Sequence, residues 1–314
     1  MRVPLITRDP KELGRRKGGG GGGKGGGGSS GGKSGGGTSG GTGSGGVGSS
    51  GSRVPVSSLP AGKSGATAYG GGGGKPVTIP SGQAFAGRSA GGGTRSDVYG
   101  TSVYGSGYPG VATRGVAGLG LPFYFWPVVW GGTAGVGTAA YLHESHEYGE
   151  PNNSTRPGGP MTQARFQSNT TGSAFHVLAD NSTLTSLIAS INSNCSSFDL
   201  ATNGSSSTSA GSYDGSNPSD PQPEQAVQYY RASSVVLTLD GYNNTNALNG
   251  SDTSVNATPV ALPSNVDHTL LSCLNDTIGQ GVPLVDSACV KWGPPQMSVL
   301  GLAWLIFIAL RAMF

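Results

Sequence analysis

The clearest hydrophobic periodicity lies in the second half of the chain, between about residues 161 and 286. There, the stretches "QARFQS" and "AFHVLAD" flank the turn signal "NTTG", which predicts two short strands. The next segment, Thr183 to Cys195, has apolar residues at i, i+3, i+4, i+7 and i+11, the spacing of one helical face. It therefore predicts an amphipathic helix, with Ser182 or Asn181 as the N-cap.

Three more elements are predicted after a Ser/Gly-rich loop. Asp220-Pro221 opens a second helix through "PQPEQAVQYYRA", because proline is tolerated in the first helical turn. "SVVLTLDGY" is the strongest strand pattern in the chain. A third helix starts near Ser264 with a capping-box-like spacing and ends near Gly279. The predicted fold class is α+β, a small ββααβα domain over residues 161–286.

Residues 1–117 lack any period of 2.0 or 3.6 that is sustained over ten positions. From Gly18 to Ser52, 22 of 35 residues are glycine. Few apolar side chains are therefore present to offset the roughly 1–2 kcal/mol per residue of backbone ordering entropy. We expect a disordered, basic, glycine-rich tail over residues 1–117.

The stretch 118–142 separates this tail from the periodic region and is rich in aromatic residues. Val116 to Leu142 holds 27 residues without a charge, enough for a helix to span about 30 Å of hydrocarbon. Two prolines and six glycines argue against such a helix. Two alternatives stay open: a transmembrane segment, or a partly buried segment that lies on the ectodomain or the membrane surface. A linker, 143–160, follows.

Charge divides the chain at the same place. Residues 1–115 carry 14 Lys/Arg against 3 Asp/Glu, a net +11, and the remainder carries 5 against 13, a net −8, which together give +3. Under the positive-inside rule, a span at 118–142 would put the tail in the cytosol and the remainder outside. The asymmetry also fits an interaction tail.

Asparagine marks the same boundary. Residues 1–150 contain none and the rest contains fifteen, of which ten open an Asn-x-Ser/Thr sequon. Since about a quarter of that region is Ser or Thr, chance predicts roughly four sequons. The excess predicts an N-glycosylated region that is exposed to the secretory pathway, with one of the two overlapping sites at 152 and 153 used. The sequon asparagines are Asn152, Asn153, Asn169, Asn181, Asn194, Asn203, Asn243, Asn249, Asn256 and Asn275.

The C-terminal segment, 287–314, has two interpretations. Three small residues from Ser287 are followed by a polar spacer and the hydrophobic run "MSVLGLAWLIFIALRAMF". This is the layout of a GPI-attachment signal, with Ser287 as the candidate attachment residue. The alternative is a short membrane span with Arg311 reaching the far interface. Either would anchor the protein in a membrane.

The chain has three cysteines, Cys195, Cys273 and Cys289, and their number and positions indicate the redox environment of the protein. Cleavage after Ser287 would remove Cys289 and leave one pair, which suits an oxidising environment. Cys195 and Cys273 fall on the apolar faces of two predicted helices, where a disulfide would close a loop of nearly 80 residues. The alternative is two buried free thiols. We favour the disulfide because of the sequons.

Motifs for catalysis, cofactors or metals are weak. "GGSSGGKS" matches the Walker A expression, but glycine-rich coil lies on both sides of it. His143 and His146, beside three glutamates, are weak candidates for a metal site, and a solvated acidic linker explains them as well. The tail lacks the aromatic interleaving or Arg-Gly repeats of RNA-binding tails, so no specific nucleic-acid binding is expected. No cofactor or catalytic residue is predicted.

At "GLPFYFWPVVWGG", "NSTRPGGP" and "FHVLADNSTLTSLIASINSNC" the chain resembles a group of uncharacterised fungal glycine-rich surface or membrane proteins. The resemblance implies no activity and no functional residues. We expect a non-enzymatic, membrane-anchored surface glycoprotein at the plasma membrane or cell surface, with the membrane and cell-wall or surface polymers as partners. Two alternatives stay open: a secretory-pathway enzyme with hidden catalytic residues, and a tail-anchored cytosolic protein whose tail binds anionic partners.

Overall fold

A computed structural model describes residues 51–108, 115–131, 139–202, 206, 208–217, 219–248 and 259–287. These residues form a mixed α/β structure with few helices. The strands are β1 Arg53–Pro55, β2 Gly65–Thr67, β3 Val77–Thr78, β4 Ser89–Ala90, β5 Met161–Gln167, β6 Ala174–Asp180, β7 Gly211–Ser212, β8 Ala226–Tyr230 and β9 Val235–Leu239. The helices are α1 Ser145–Tyr148, α2 Asn181–Asn194 and α3 His268–Gly281, with short 3₁₀ turns at Pro60–Gly62, Arg95–Asp97, Ala140–His143, Pro223–Gln225 and Thr245–Ala247.

The central feature is a five-stranded antiparallel sheet in the order β7-β5-β6-β9-β8. β5 and β6 pair along their full lengths with Arg165 opposite His176, and β9 places Thr238 on the other side of His176. A slip by one residue would turn every side chain of a strand to the opposite face, so burial of one face fixes this register. The strands predicted at 163–168, 174–180 and 234–242 correspond to β5, β6 and β9.

Helices α2 and α3 pack against each other, and α2 lies on β5 and β6. α2 follows β6 without a loop, because Asp180 ends the strand and caps the helix. Its carboxylate accepts a hydrogen bond from the Thr183 amide at 2.9 Å, a role that we expected of Ser182 or Asn181. The negative charge of Asp180 also interacts favourably with the positive end of the helix dipole. The buried residues of α2 are Thr183, Leu184, Leu187, Ile188, Ser190 and Ile191.

The predicted ββααβα order is not the observed one, because the second helix is replaced by a strand. Pro223–Gln225 makes a single 3₁₀ turn, and Ala226–Tyr230 continues as β8, paired with β9. The Tyr229 amide also donates to the Thr101 carbonyl at 2.8 Å. Tyrosine favours a strand where a neighbouring strand has a free edge, as β9 offers to β8. The periodicity of the segment itself does not reveal this pairing. From residue 161 onward the order is β5-β6-α2-β7-β8-β9-α3.

Residues 51–108 contribute to the core, which corrects the expectation of disorder over this part of 1–117. β1 pairs with β2, β3 pairs with β4, and the Thr67 amide donates to the Leu284 carbonyl at 2.7 Å. These strands have two or three residues, so their burial alternates too briefly to give a detectable period. Residues 1–50 and 109–114 of the predicted tail lie outside the described residues. Buried here are Val54, Val56, Leu59, Ala66, Ala68, Ile79, Ala90, Val98, Tyr104 and Tyr108.

The aromatic stretch 118–131 packs inside the same core as irregular chain, which corrects the possibility of a span over this part of 118–142. The Leu121 amide donates to the Ser89 carbonyl at 2.7 Å, and Trp130 Nε1 donates to Tyr229 Oη at 3.2 Å. Its prolines and glycines suit a chain that turns between neighbours better than a helix. Within the described ranges, no helix combines the length and apolar character needed to cross a bilayer. Residues 132–138 lie outside them.

Arg231, in the connection between β8 and β9, is fully buried and ion-paired. Its Nη2 donates to Asp180 Oδ2 at 2.8 Å, and its Nη1 donates to Thr183 Oγ1 and to the Pro283 carbonyl, each at 3.0 Å. Burial lowers the pKa of Arg231 to about 10, and Asp180 acts in the opposite direction, so the guanidinium is charged at neutral pH. It thereby joins β6, α2 and the chain that follows α3.

The turn that carries Arg231 is left-handed. Arg231, Ala232 and Ser233 have φ angles of 49°, 47° and 58°, although none of them is glycine. This conformation costs roughly 1–2 kcal/mol per residue with a side chain. Tertiary contacts hold it in place: the Ser233 hydroxyl accepts from the Gly105 amide at 2.9 Å, and the Ser233 carbonyl accepts from the Val128 amide at 2.8 Å.

Candidate functional site

The predicted disulfide is confirmed, because Cys195 and Cys273 are bonded with their Cα atoms 5.8 Å apart. Cys195 directly follows the last residue of α2, and Cys273 lies in the second turn of α3, so the bond joins the two helices. The bond closes a long loop, with a sequence separation of 78 residues. Such bonds persist in secreted proteins and are rare in the cytosol. Cys289 lies outside the described residues.

The sequon asparagines are accessible wherever the structure describes them. Asn153 and Asn275 are half-buried, whereas Asn244, which opens no sequon, is 2% exposed. The exposed ones are Asn152, Asn169, Asn181, Asn194 and Asn243. Those outside the described residues are Asn203, Asn249 and Asn256. Solvent access is what N-glycosylation requires of an acceptor site in the folded protein.

Several of these sequons lie towards one end of the sheet. Asn169 lies in the turn between β5 and β6, and Asn243 follows β9, which ends where β6 begins. The loop after α2 reaches the same turn, because the Asn169 amide donates to the Asp199 carbonyl at 2.7 Å. Asn194, at the end of α2, precedes that contact by five residues. Glycans on these asparagines would therefore cover the same end of the domain.

Three sequon side chains already make hydrogen bonds. Asn153 Oδ1 accepts from both the amide and the hydroxyl of Thr155 at 2.8 Å. Asn275 Oδ1 accepts from the Tyr230 hydroxyl at 2.7 Å. Asn194 Nδ2 donates to the Tyr69 hydroxyl at 3.0 Å. Each of these bonds leaves at least one hydrogen of the amide nitrogen available for replacement by a sugar.

Ser287, the candidate GPI-attachment residue, is exposed and is the last residue that the structure describes. Its amide donates to the Gly72 carbonyl at 3.2 Å and its hydroxyl to the Gly73 carbonyl at 2.6 Å. The neighbouring Asp286 accepts from the Gly72 amide at 2.8 Å. The chain is thus held to the domain up to Ser287, and the hydrophobic run follows.

The two candidate metal ligands are not brought together with further ligands. His143 Nδ1 lies 2.9 Å from the Trp130 carbonyl oxygen, and His146 is exposed on α1. Glu147, the closest acidic neighbour of His146 in the chain, is paired with Arg88 instead. Across the described ranges, no group of three His, Cys, Asp or Glu side chains could hold a metal ion.

A charged cluster that sequence reasoning missed lies on the sheet. His176 Nε2 lies 3.3 Å from Asp240 Oδ1, and Arg165 Nε lies 3.8 Å from Asp240 Oδ2. The register of β5 and β6 places Arg165 directly opposite His176. A signal existed in the strand patterns, because pairing the two predicted strands around the turn "NTTG" puts these residues on one face.

This cluster is arranged unlike a catalytic dyad. A general base must present its free ring nitrogen to a substrate within hydrogen-bond reach. Here the Nδ1 atom of His176 is buried and has no hydrogen-bond partner, while the Asp240 side chain is 43% exposed. Among the described residues, no serine or cysteine side chain is hydrogen-bonded to His176. We conclude that the cluster is a partly buried contact network around Asp240.

Strongly shifted pKa values belong to core residues rather than to a cleft. Burial raises the pKa of Tyr104, Tyr229 and Tyr230. Burial also lowers the pKa of Arg156 to about 10, and its guanidinium donates to the Tyr148 carbonyl at 3.0 Å, among other backbone carbonyls. Perturbed groups often mark active sites, but these groups pack the interior.

Several grooves border the described surface, including two that exceed about 350 Å³. The larger, about 570 Å³, lies beside the disulfide and is lined by Asn194, Phe198, His268 and Asp276, among others. The second, about 380 Å³, runs between the chain at 89–93 and the chain at 119–122. Neither groove brings two carboxylates together among its lining residues. The larger one is lined by His268 and Ser272, four residues apart on α3, but no hydrogen bond joins their side chains.

The features with chemical consequence are therefore the accessible sequons, the disulfide, the larger groove and Ser287. No family model, no curated protein and no solved structure matches this chain.

Proposed function

We propose that this chain is a non-enzymatic, membrane-anchored surface glycoprotein with a structural or interaction role. The observation that carries the proposal is the occurrence of seven accessible sequons and a disulfide in one domain. N-glycans are added, and disulfides persist, in the secretory pathway. Because the cytosol keeps thiols reduced, the disulfide also disfavours the tail-anchored cytosolic alternative.

The enzyme alternative has less support. An enzyme of the secretory pathway would need a cleft with convergent acid, base or nucleophilic groups. In the part of the chain that the structure describes, two sets of side chains come near such an arrangement. The free nitrogen of the His176–Asp240 pair is buried, and His268 and Ser272 in the larger groove make no hydrogen bond to each other. An interaction protein needs no such cleft.

The asparagine-free segment 51–131 is the proposed contact surface. It carries no sequon of its own, although Asn194 contacts it at Tyr69. Arg53 and Lys75 are exposed and Lys63 is half-buried, whereas Asp97 is the segment's single acidic residue. Positive charge on this surface favours anionic cell-wall or surface polymers as partners.

The membrane anchor is proposed for the segment after Ser287. The folded chain is held to the domain up to that residue, which is exposed. A GPI anchor attached there would carry the domain at the plasma membrane or cell surface, and a short C-terminal span is the alternative. With either anchor, the domain and its sequons lie outside the membrane.

Expression of the full chain in a eukaryotic secretory host tests the glycoprotein proposal. We expect PNGase F to lower the apparent mass by several glycans, while the same chain made in a bacterial cytosol shows no shift. Peptide mass spectrometry should locate glycans at exposed sequons such as Asn169 and Asn243. A secreted or membrane-bound chain that carries no glycan would contradict the proposal.

A separate experiment distinguishes the anchors. Phosphatidylinositol-specific phospholipase C should release the chain from intact cells into the medium if the anchor is GPI. Retention after this treatment, together with extraction only by detergent, would support the C-terminal span instead. A chain that is recovered in the soluble fraction without either treatment would overturn membrane anchoring.

A further inference from the structure

The groove beside the disulfide brings a sequon and an exposed aromatic ring together. Asn194 and Phe198 both line it, and its volume is about 570 Å³. Phe198 is 43% exposed, the highest value among the exposed large hydrophobic residues of the described chain. A sugar ring packs the hydrogens of one face on an aromatic ring while its hydroxyls meet polar groups. An exposed phenylalanine beside polar side chains suits such a ligand.

We propose that this groove seats the first sugars of an N-glycan attached to Asn194, with the Phe198 ring stacked on the sugar next to the protein. The inference rests on the proposed function, because the chain must enter the secretory pathway to be glycosylated. The occupant is the chain's own glycan rather than a free saccharide, because the attachment residue is itself part of the groove wall.

The Asn194 side chain is held in place for this role. Its Nδ2 donates one hydrogen to the Tyr69 hydroxyl at 3.0 Å. Glycosylation replaces one hydrogen of that nitrogen and leaves the other, so the bond to Tyr69 survives while the second position carries the sugar. The next residue, Cys195, is bonded to Cys273 in the opposite wall. The sugar therefore meets a preformed surface, which reduces the entropy lost on packing.

The opposite wall presents polar groups at helical spacing. His268, Ser272 and Asp276 follow one another at intervals of four residues along α3, so they share one face of the helix. All three are exposed and line the groove. They offer donors and acceptors to the hydroxyl and acetamido groups of a neutral N-acetylhexosamine. The carboxylate of Asp276 disfavours an anionic ligand in the same place.

The order of events follows from the position of the sequon. The Asn194 side chain is exposed in the folded protein, but the middle residue of its sequon, Cys195, is fully buried, so folding restricts the access of an enzyme to the sequon backbone. Cys273 emerges 78 residues later, which corresponds to roughly 4–16 s at a synthesis rate of about 5–20 residues per second. Attachment of the glycan before α2 and α3 pair is therefore favoured, and the disulfide then closes beside it.

A double-variant cycle in the full chain, expressed in a secretory host, tests the stacking. Ser196→Ala removes the sequon without changing Asn194 or Cys195, and Ser196→Thr retains it as the matched control. Phe198→Ser is then combined with each of the two Ser196 variants. We expect glycopeptide mass spectrometry to find the glycan at Asn194 in the Ser196→Thr background and not in the Ser196→Ala background. We expect Phe198→Ser to lower the melting temperature by roughly 2–4 °C in the glycosylated background and by clearly less in the Ser196→Ala background.

Equal effects of Phe198→Ser in both backgrounds would overturn the inference. Absence of a glycan at Asn194 in the Ser196→Thr chain, with Asn169 glycosylated, would also overturn it and would leave the proposed function intact. A chain without any glycan would overturn both. Trimming with endoglycosidase H leaves one sugar on each asparagine, and the difference between the backgrounds should persist after it. Loss of this difference on trimming would assign the contact with Phe198 to the outer sugars and would contradict stacking of the first sugar on the ring.

Discussion

Two buried arginines illustrate how single residues hold this domain together. Arg231 has a carboxylate partner in Asp180, at 2.8 Å. Arg156 instead donates to backbone carbonyls, including those of Tyr148 at 3.0 Å and Pro127 at 2.6 Å. Asp180 lies 51 residues from Arg231 in the chain. Pro127 lies 29 residues from Arg156, although Tyr148 is only eight residues from Arg156. Each cation therefore fixes the relative positions of segments that local sequence does not bring together.

The Arg231–Asp180 pair gives a direct prediction. Asp180→Asn removes the charge but keeps an N-cap for α2, and a buried cation is left without its counterion. We expect the free energy of unfolding to fall by about 3–5 kcal/mol, measured by urea unfolding. Glu150→Gln, an exposed carboxylate, is the control and should change it by less than about 0.5 kcal/mol. Similar small effects for both variants would show that the pair is dispensable.

Asp267, the N-cap of α3, predicts part of the pH dependence. Burial acts to raise the pKa of its carboxyl group, but hydrogen bonds from the Leu270 amide at 2.9 Å and the Ser168 hydroxyl at 2.5 Å hold that pKa below its ordinary value. The stability from a lowered pKa is complete above the unfolded-state pKa, about 3.9, and is lost as the pH falls through the folded-state pKa. Asp267→Asn does not titrate in this range. Its melting temperature should therefore fall less steeply than that of the wild type below about pH 4, and equal slopes would refute this assignment.

At the scale of elements, sequence patterns identify those that are long enough to repeat. β5, β6, β9, α2 and α3 each extend over five or more residues with a regular buried face, and the sequence predicts all of them. The sequence pattern wrongly predicts a helix at β8, because the pairing with β9 that makes this segment a strand is a tertiary contact. The chain at 51–108 has strands of two or three residues, too short for a period. The His176–Asp240 contact likewise depends on a sheet register that no local pattern specifies.

The aromatic stretch gives a prediction at this scale. Leu121 is 1% exposed, so Leu121→Ala leaves a cavity in the core and should lower the free energy of unfolding by about 2–5 kcal/mol. Leu119→Ala, two residues earlier and half-buried, is the control with a smaller expected loss. Urea unfolding in the absence of detergent measures both. Equal, negligible losses would mean that the stretch lies outside the folded core.

At the scale of the whole molecule, the disulfide joins parts of the chain that are made far apart in time. Everything between Cys195 and Cys273, including β7, β8 and β9, lies inside the loop that it closes. Cross-linking restricts the unfolded chain more strongly as the loop grows. The sequence predicts this pair from two signals together: each cysteine falls on the apolar side of its predicted helix, and the sequons favour an oxidising compartment over two free thiols. Two strands outside that loop pair with strands inside it, β6 with β9 and β5 with β7, which ties the two regions into one core.

Removal of the disulfide should be costly. Cys195→Ser with Cys273→Ser retains the sequon at Asn194, and we expect the free energy of unfolding to fall by about 4 kcal/mol. Reducing agent should destabilise the wild type by a similar amount and leave the double variant unchanged, as urea unfolding can show. If reductant has no effect on the wild type, the bond does not contribute to its stability.

The left-handed turn at Arg231, Ala232 and Ser233 limits how this protein can vary during evolution. The chain contains 59 glycines, yet none occupies the three positions where glycine would be least strained. Glycine at 231 would remove the ion pair with Asp180, and glycine at 233 would remove the hydroxyl that binds the Gly105 amide. Ala232 has no polar group to lose. Related chains should therefore exchange alanine for glycine at 232 and keep both neighbours.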